Sequence, residues 1–135
     1  KITIALFEQV IRTYRTHGFS KFNLALSLLT RSRDDLRALA NKIIRGLSKK
    51  NINQLGLTIE DSLVEAGSGS LPEKNIESMA LRFNPISMSV NKLSSAFRDL
   101  DNPIIGYINQ NSFFIDLKAV LPSQISTLIK SIKNL

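Results

Sequence analysis

The chain has 135 residues, 43% of them apolar, which is enough for one hydrophobic core and too few for two domains of ordinary size. It contains no cysteine, which excludes a disulfide framework, a cysteine-ligated metal and a thiol nucleophile, and fits a reducing, cytoplasmic compartment. A formal charge of +7 favours approach to a polyanion, but the eighteen Lys and Arg are spread along the chain, with local clusters only at Arg31–Arg37 and Lys49-Lys50.

The first predicted element is an amphipathic helix. Ile4, Phe7, Val10, Ile11 and Tyr14 fall at helical spacing, and His17-Gly18 is the expected end, where glycine can take the left-handed position. Residues 19–30, FSKFNLALSLLT, read as an apolar connector without a clear period, expected to pack. Ser32 and Asp35 form a capping-box pattern that opens a second helix, with Leu36, Leu39, Ala40, Ile43 and Leu47 on one face. Lys49 and Lys50 are expected in its last turn, where the helix dipole favours cations.

Two strands follow, within residues 55–66 and 78–83, marked by alternation at Leu57 and Ile59 and at Met79, Leu81 and Phe83. A third helix carries Val90, Leu93, Phe97 and Leu100 on one stripe. Residues 102–118 read as a hairpin turning at Asn109-Gln110-Asn111, with Phe113, Ile115 and Leu117 alternating against Phe114, Asp116 and Lys118. Pro122 fits the first turn of a last helix bearing Ile125, Leu128, Ile129 and Ile132. This order predicts an α+β fold: a two-layer small domain with helices covering one face of a mainly antiparallel sheet.

The residues offer little chemistry of their own. His17 is the one histidine, and no zinc, nucleophile-elbow, P-loop or calcium-loop pattern is present. Asp34-Asp35 and Glu60-Asp61 are sequence neighbours, which point apart in a helix or strand, so neither pair makes an acid/base dyad. No apolar run reaches the eighteen residues of a membrane span, and the opening residues lack the features of a signal peptide, so no membrane partner is expected. The loop Gly67–Pro72, GSGSLP, can be read as a glycine-rich strand connector or as a phosphate cradle. It lacks the lysine and following helix that such cradles use.

Three blocks carry a family resemblance. VEAGSGSLPEKNIESMALRF (residues 64–83), LLTRSRDDLRALANKI (residues 28–43) and NPIIGYINQNSFFIDLKAVLP (residues 102–122) resemble, in order and spacing, the C-terminal domain of bacterial L-seryl-tRNA(Sec) selenium transferases, also called selenocysteine synthases. The resemblance spans essentially the whole chain. It implies the aspartate-aminotransferase fold class (fold type I) of pyridoxal-phosphate (PLP) enzymes, in which a large domain holds PLP on a lysine and a smaller C-terminal domain closes over it. Residues 1–31 would then be the connecting helix and linker from the large domain, and residues 32–135 the small domain.

The implied reaction replaces the seryl hydroxyl of seryl-tRNA(Sec) by selenium from selenophosphate, with PLP as the electron sink. The implied parent is a cytoplasmic homo-oligomer. The Schiff-base lysine would lie upstream of Lys1, so the fragment by itself is expected to hold no catalytic, cofactor-binding or metal residue and to be inactive. Its expected contribution to the cleft is the loop Ser68, Gly69, Ser70, Leu71 and Pro72, whose small residues allow close backbone approach. Two positions depart from the family pattern: Tyr107 and Lys118 stand where arginine is common, and Lys118 keeps the charge without the planar fork. Two other readings remain open, the small domain of a related PLP enzyme acting on a small amino substrate, and a tRNA-binding module.

Overall fold

The computed structural model describes residues 1–16, 23–65 and 75–135. Two units are distinguished, Lys1–Arg31 and Ser32–Leu135. In the first, helix α1 (Ile2–Arg15) runs to a C-cap at Thr16 and buries none of its residues. His17 and Gly18, the expected helix end, lie outside the described residues. The connector contains a short helix, α2 (Leu24–Leu29), which replaces the expected aperiodic run. Asn23 caps it, its side chain accepting from the Leu26 N–H at 3.1 Å. Leu26, Ser27 and Leu28 of α2 are half-buried and none of its residues is fully buried.

In the second unit, α3 (Arg33–Arg45) starts at the predicted capping box. The Ser32 hydroxyl accepts from the Asp35 N–H at 3.1 Å, and the Asp35 carboxylate accepts from the Ser32 N–H at 3.2 Å. Leu36, Ala40 and Ile43 form its buried stripe. The helix ends earlier than predicted, at Gly46, two residues before Ser48 caps the next helix. A Cβ on Gly46 would stand 2.7 Å from the Ile129 Cδ1.

Ser48 then caps a further helix, α4 (Lys49–Leu55), that the sequence reading did not resolve. Lys49 and Lys50 therefore lie in a first turn rather than a last one, which reverses the expected dipole interaction. Gly56 ends α4 at φ +54°, and a Cβ there would meet the Asn84 carbonyl oxygen at 2.1 Å, so only glycine fits.

Strands β1 (Leu57–Glu65) and β2 (Asn75–Phe83) pair antiparallel from Leu57 opposite Phe83 to Glu65 opposite Asn75. Helix α5 (Val90–Arg98) follows, capped by Ser89. Strands β3 (Tyr107–Asn109) and β4 (Ser112–Asp116) then form the predicted hairpin. Its two turn residues, Gln110 and Asn111, have φ of 45° and 54°, the signature of a two-residue primed turn. The sheet order is β1-β2-β4-β3, and every pairing is antiparallel. Pro122–Gln124 make one 3-10 turn before α6 (Ile125–Lys133).

Strand alternation sorts the sheet into two faces. Leu57, Ile59, Met79, Leu81, Phe83, Phe113 and Ile115 point to the helices and join the core with α3, α5 and α6. Phe83, Phe97 and Phe113 are fully buried at its centre, with ring centroids 5.2–5.9 Å apart. This is the two-layer α+β arrangement that the hydrophobic pattern predicts.

Candidate functional site

The opposite face of the sheet carries the even-numbered residues of β1 and β2, and its centre is polar. Asp116, opposite Ala80, reaches across three strands. Its Oδ2 accepts from the Ser62 hydroxyl at 2.6 Å. Its Oδ1 accepts from the Ser78 hydroxyl at 2.7 Å and from the Lys118 N–H at 2.9 Å. Arg82 adds a second bridge, donating to Ser112 Oγ at 2.9 Å and to Glu60 Oε1 at 2.8 Å. A carboxylate that accepts three hydrogen bonds locks β1, β2 and the end of β4 into one register. Both of its oxygens are engaged in this brace.

Ser62 and Ser78 stand three residues from the Glu65–Asn75 pair, so the brace lies about 10 Å along the strands from the mouth of the β1–β2 connection. The predicted cleft residues Ser68, Gly69, Ser70, Leu71 and Pro72 belong to that connection and lie outside the described residues. Beside the brace is a groove of about 590 Å³, whose lining includes Ser62, Glu77, Ser78, Tyr107 and Gln110. Its charged lining is Glu60, Asp61 and Glu77 against Arg33, so the groove suits a neutral or cationic occupant better than a phosphate.

The two departures from the family pattern are both placed. Lys118 is buried, and its ammonium donates to the Glu77 backbone carbonyl at 2.8 Å. Tyr107 stacks on Phe114 with ring centroids 5.2 Å apart and planes 9° from parallel. Burial, and secondarily the Asp116 carboxylate, push its phenol above the ordinary tyrosine range, so it stays a neutral hydroxyl at physiological pH.

On the helix side of the sheet, Asp61 is gripped by Arg33, whose Nε donates at 2.9 Å and whose Nη2 makes a second contact, with Arg37 4.0 Å away. The Arg33 hydrogen bond holds the Asp61 carboxyl below its usual range. This exposed fork ties the start of α3 to β1. The neighbouring Glu60 turns to the other face, so the pair does diverge as predicted from strand alternation.

The brace itself was not singled out by sequence reading. Ser62, Ser78 and Asp116 are unremarkable separately and meet only through the β1-β2-β4 pairing. Their even-numbered positions on alternating strands are the one available signal.

Among the described residues no cluster of His, Asp and Glu could hold a metal ion, and no helix is long and apolar enough to cross a membrane.

Fold and surface together define a small α+β domain whose antiparallel sheet is braced on one face by Asp116. The family model described as L-seryl-tRNA selenium transferase matches residues 1–121, and the chain belongs to that family. Similar relatives include the L-seryl-tRNA(Sec) selenium transferases of Haemophilus ducreyi, 33% identical over 99% of this chain, and of Desulfotalea psychrophila, 29% identical over 95%. That of Escherichia coli is 30% identical over 92%. The chain spans only 28–29% of the length of these relatives. It therefore corresponds to a domain of a selenocysteine synthase.

Proposed function

We propose that this chain is the C-terminal small domain, with its leading helix, of a parent selenocysteine synthase that converts seryl-tRNA(Sec) to selenocysteinyl-tRNA(Sec) using PLP and selenophosphate. The observation that carries the reading is the family match over residues 1–121 of a chain that spans only 28–29% of its relatives' length. The Schiff-base lysine belongs to the rest of the parent, and the isolated fragment is inactive. The parent works in the cytoplasm as a homo-oligomer.

Within that parent, the Asp116 brace holds β1 and β2 rigid, and the loop Ser68, Gly69, Ser70, Leu71 and Pro72 is presented to the cleft from their ends. Loops that contact substrate are commonly carried by such rigid scaffolds. The test is to incubate the parent with PLP, seryl-tRNA(Sec) and selenophosphate and to weigh the aminoacyl product. A selenocysteinyl product is expected. Bound PLP with unchanged seryl-tRNA would overturn the assignment in favour of a relative acting on a small amino substrate.

A further inference from the structure

The helical layer carries a charge pattern that folding does not explain. No Asp or Glu occurs between Asp35 and Glu60, and none after Asp116. The contact between Gly46 and Ile129 brings these two acid-free stretches together. Lys42 and Arg45 occupy the last turn of α3, and Lys49 and Lys50 the first turn of α4. Arg45 and Lys49 are four positions apart, so their backbones lie within about 14 Å.

Lys133 shares a helix face with Ile129, one turn away, and so stands on the α3 side of α6. Lys130 points elsewhere and lines a cleft with Asp101. All five patch cations are exposed, and none forms an ion pair with a described carboxylate. Lys49 and Lys50 moreover sit at the positive end of α4, where cations oppose the helix dipole.

We propose that this surface, Lys42, Arg45, Lys49, Lys50 and Lys133, binds the phosphate backbone of RNA. Cations that meet no described carboxylate and are gathered around the Gly46–Ile129 contact suit a polyanion that releases its counterions on contact. The groove beside the brace carries three carboxylates, Glu60, Asp61 and Glu77, against one guanidinium, Arg33, so it attracts an approaching polyanion less than the cationic surface does. RNA is preferred over an anionic membrane because the family acts on an aminoacyl-tRNA, and to that extent the inference rests on the proposed function. Lysine and arginine contacts to phosphate position an RNA without reading its sequence.

The test compares the parent carrying R45Q, K49Q and K50Q with a parent carrying K92Q, R98Q and K130Q, an equal charge loss elsewhere on the domain. Affinity for tRNA is measured over a salt series, with vesicles containing phosphatidylserine as a second probe. The patch variant is expected to weaken tRNA binding roughly tenfold or more and to lower the salt slope by about 2, at 0.7–0.9 per lost phosphate contact. The control should change far less.

Equal behaviour of the two variants would overturn the proposal, as would loss of vesicle binding with tRNA binding intact. Melting curves verify folding, and the pair K49Q and K50Q provides a milder variant if the triple is unstable. Binding is read without turnover, so a parent that binds tRNA through the patch yet makes no selenocysteinyl product would overturn the function and leave the surface standing.

Discussion

Replacing Asp116 by alanine removes the acceptor of three hydrogen bonds at once. Hydrogen bonds to a charged group contribute about 1.5–3 kcal/mol each, and an unpaired buried donor costs about 1–3 kcal/mol. The three donors are not equal. Ser78 is 1% exposed and cannot recover its bond from solvent, whereas the brace as a whole is half-buried, so Ser62 can recover part of its loss. Taking one full and two partial losses gives about 3 kcal/mol for Asp116→Ala. For a chain of this size that lowers Tm by roughly 10 °C.

Asp116→Asn keeps one acceptor oxygen and turns an amide donor toward a hydroxyl donor, so about half of that loss is expected. Urea unfolding of the parent's C-terminal transition, followed by circular dichroism, measures both variants. A loss below about 0.5 kcal/mol for Asp116→Ala, within the range of ordinary surface substitutions, would refute the brace.

Phe97→Ala deletes the ring that stacks on Phe113 at 5.2 Å in a fully buried position, and should cost about 3–5 kcal/mol in the same unfolding assay. Gly56→Ala should cost about 2 kcal/mol or more by urea unfolding, since the left-handed backbone disfavours a side chain and the Asn84 carbonyl occupies its place. Asp61 titrates lower in the folded state than in the unfolded one because Arg33 hydrogen-bonds its charged form. Its contribution is therefore present above the unfolded carboxyl pKa, near 4, and is lost as pH falls through the lower folded value. Asp61→Asn should thus lower Tm at pH 7, and the difference should close below about pH 4.

The core was legible because its spacing is periodic: Met79, Leu81 and Phe83, or Val90, Leu93 and Phe97, each name one face of one element. The Ser32 cap and the Gln110-Asn111 turn were legible because a specific side chain or backbone conformation marks them. Helices α2 and α4 were not, since six and seven residues give too little periodicity to separate a short helix from a connector. Lys49 and Lys50 show the consequence, as their dipole environment reversed once Ser48 proved to be a cap. The polar brace stayed hidden for a different reason. Ser62, Ser78 and Asp116 are brought together by pairings of residues 38 and 54 positions apart, which no local pattern encodes.

The proposed function places the cofactor-bearing lysine of a PLP-dependent transferase in another part of the parent. Reducing the PLP-loaded parent with borohydride converts the Schiff base to a stable secondary amine on the lysine that held it, and peptide mass mapping then locates the label. The account predicts a pyridoxyl group on a peptide outside Lys1–Leu135. Label on any lysine of this chain, Lys118 above all, would contradict it.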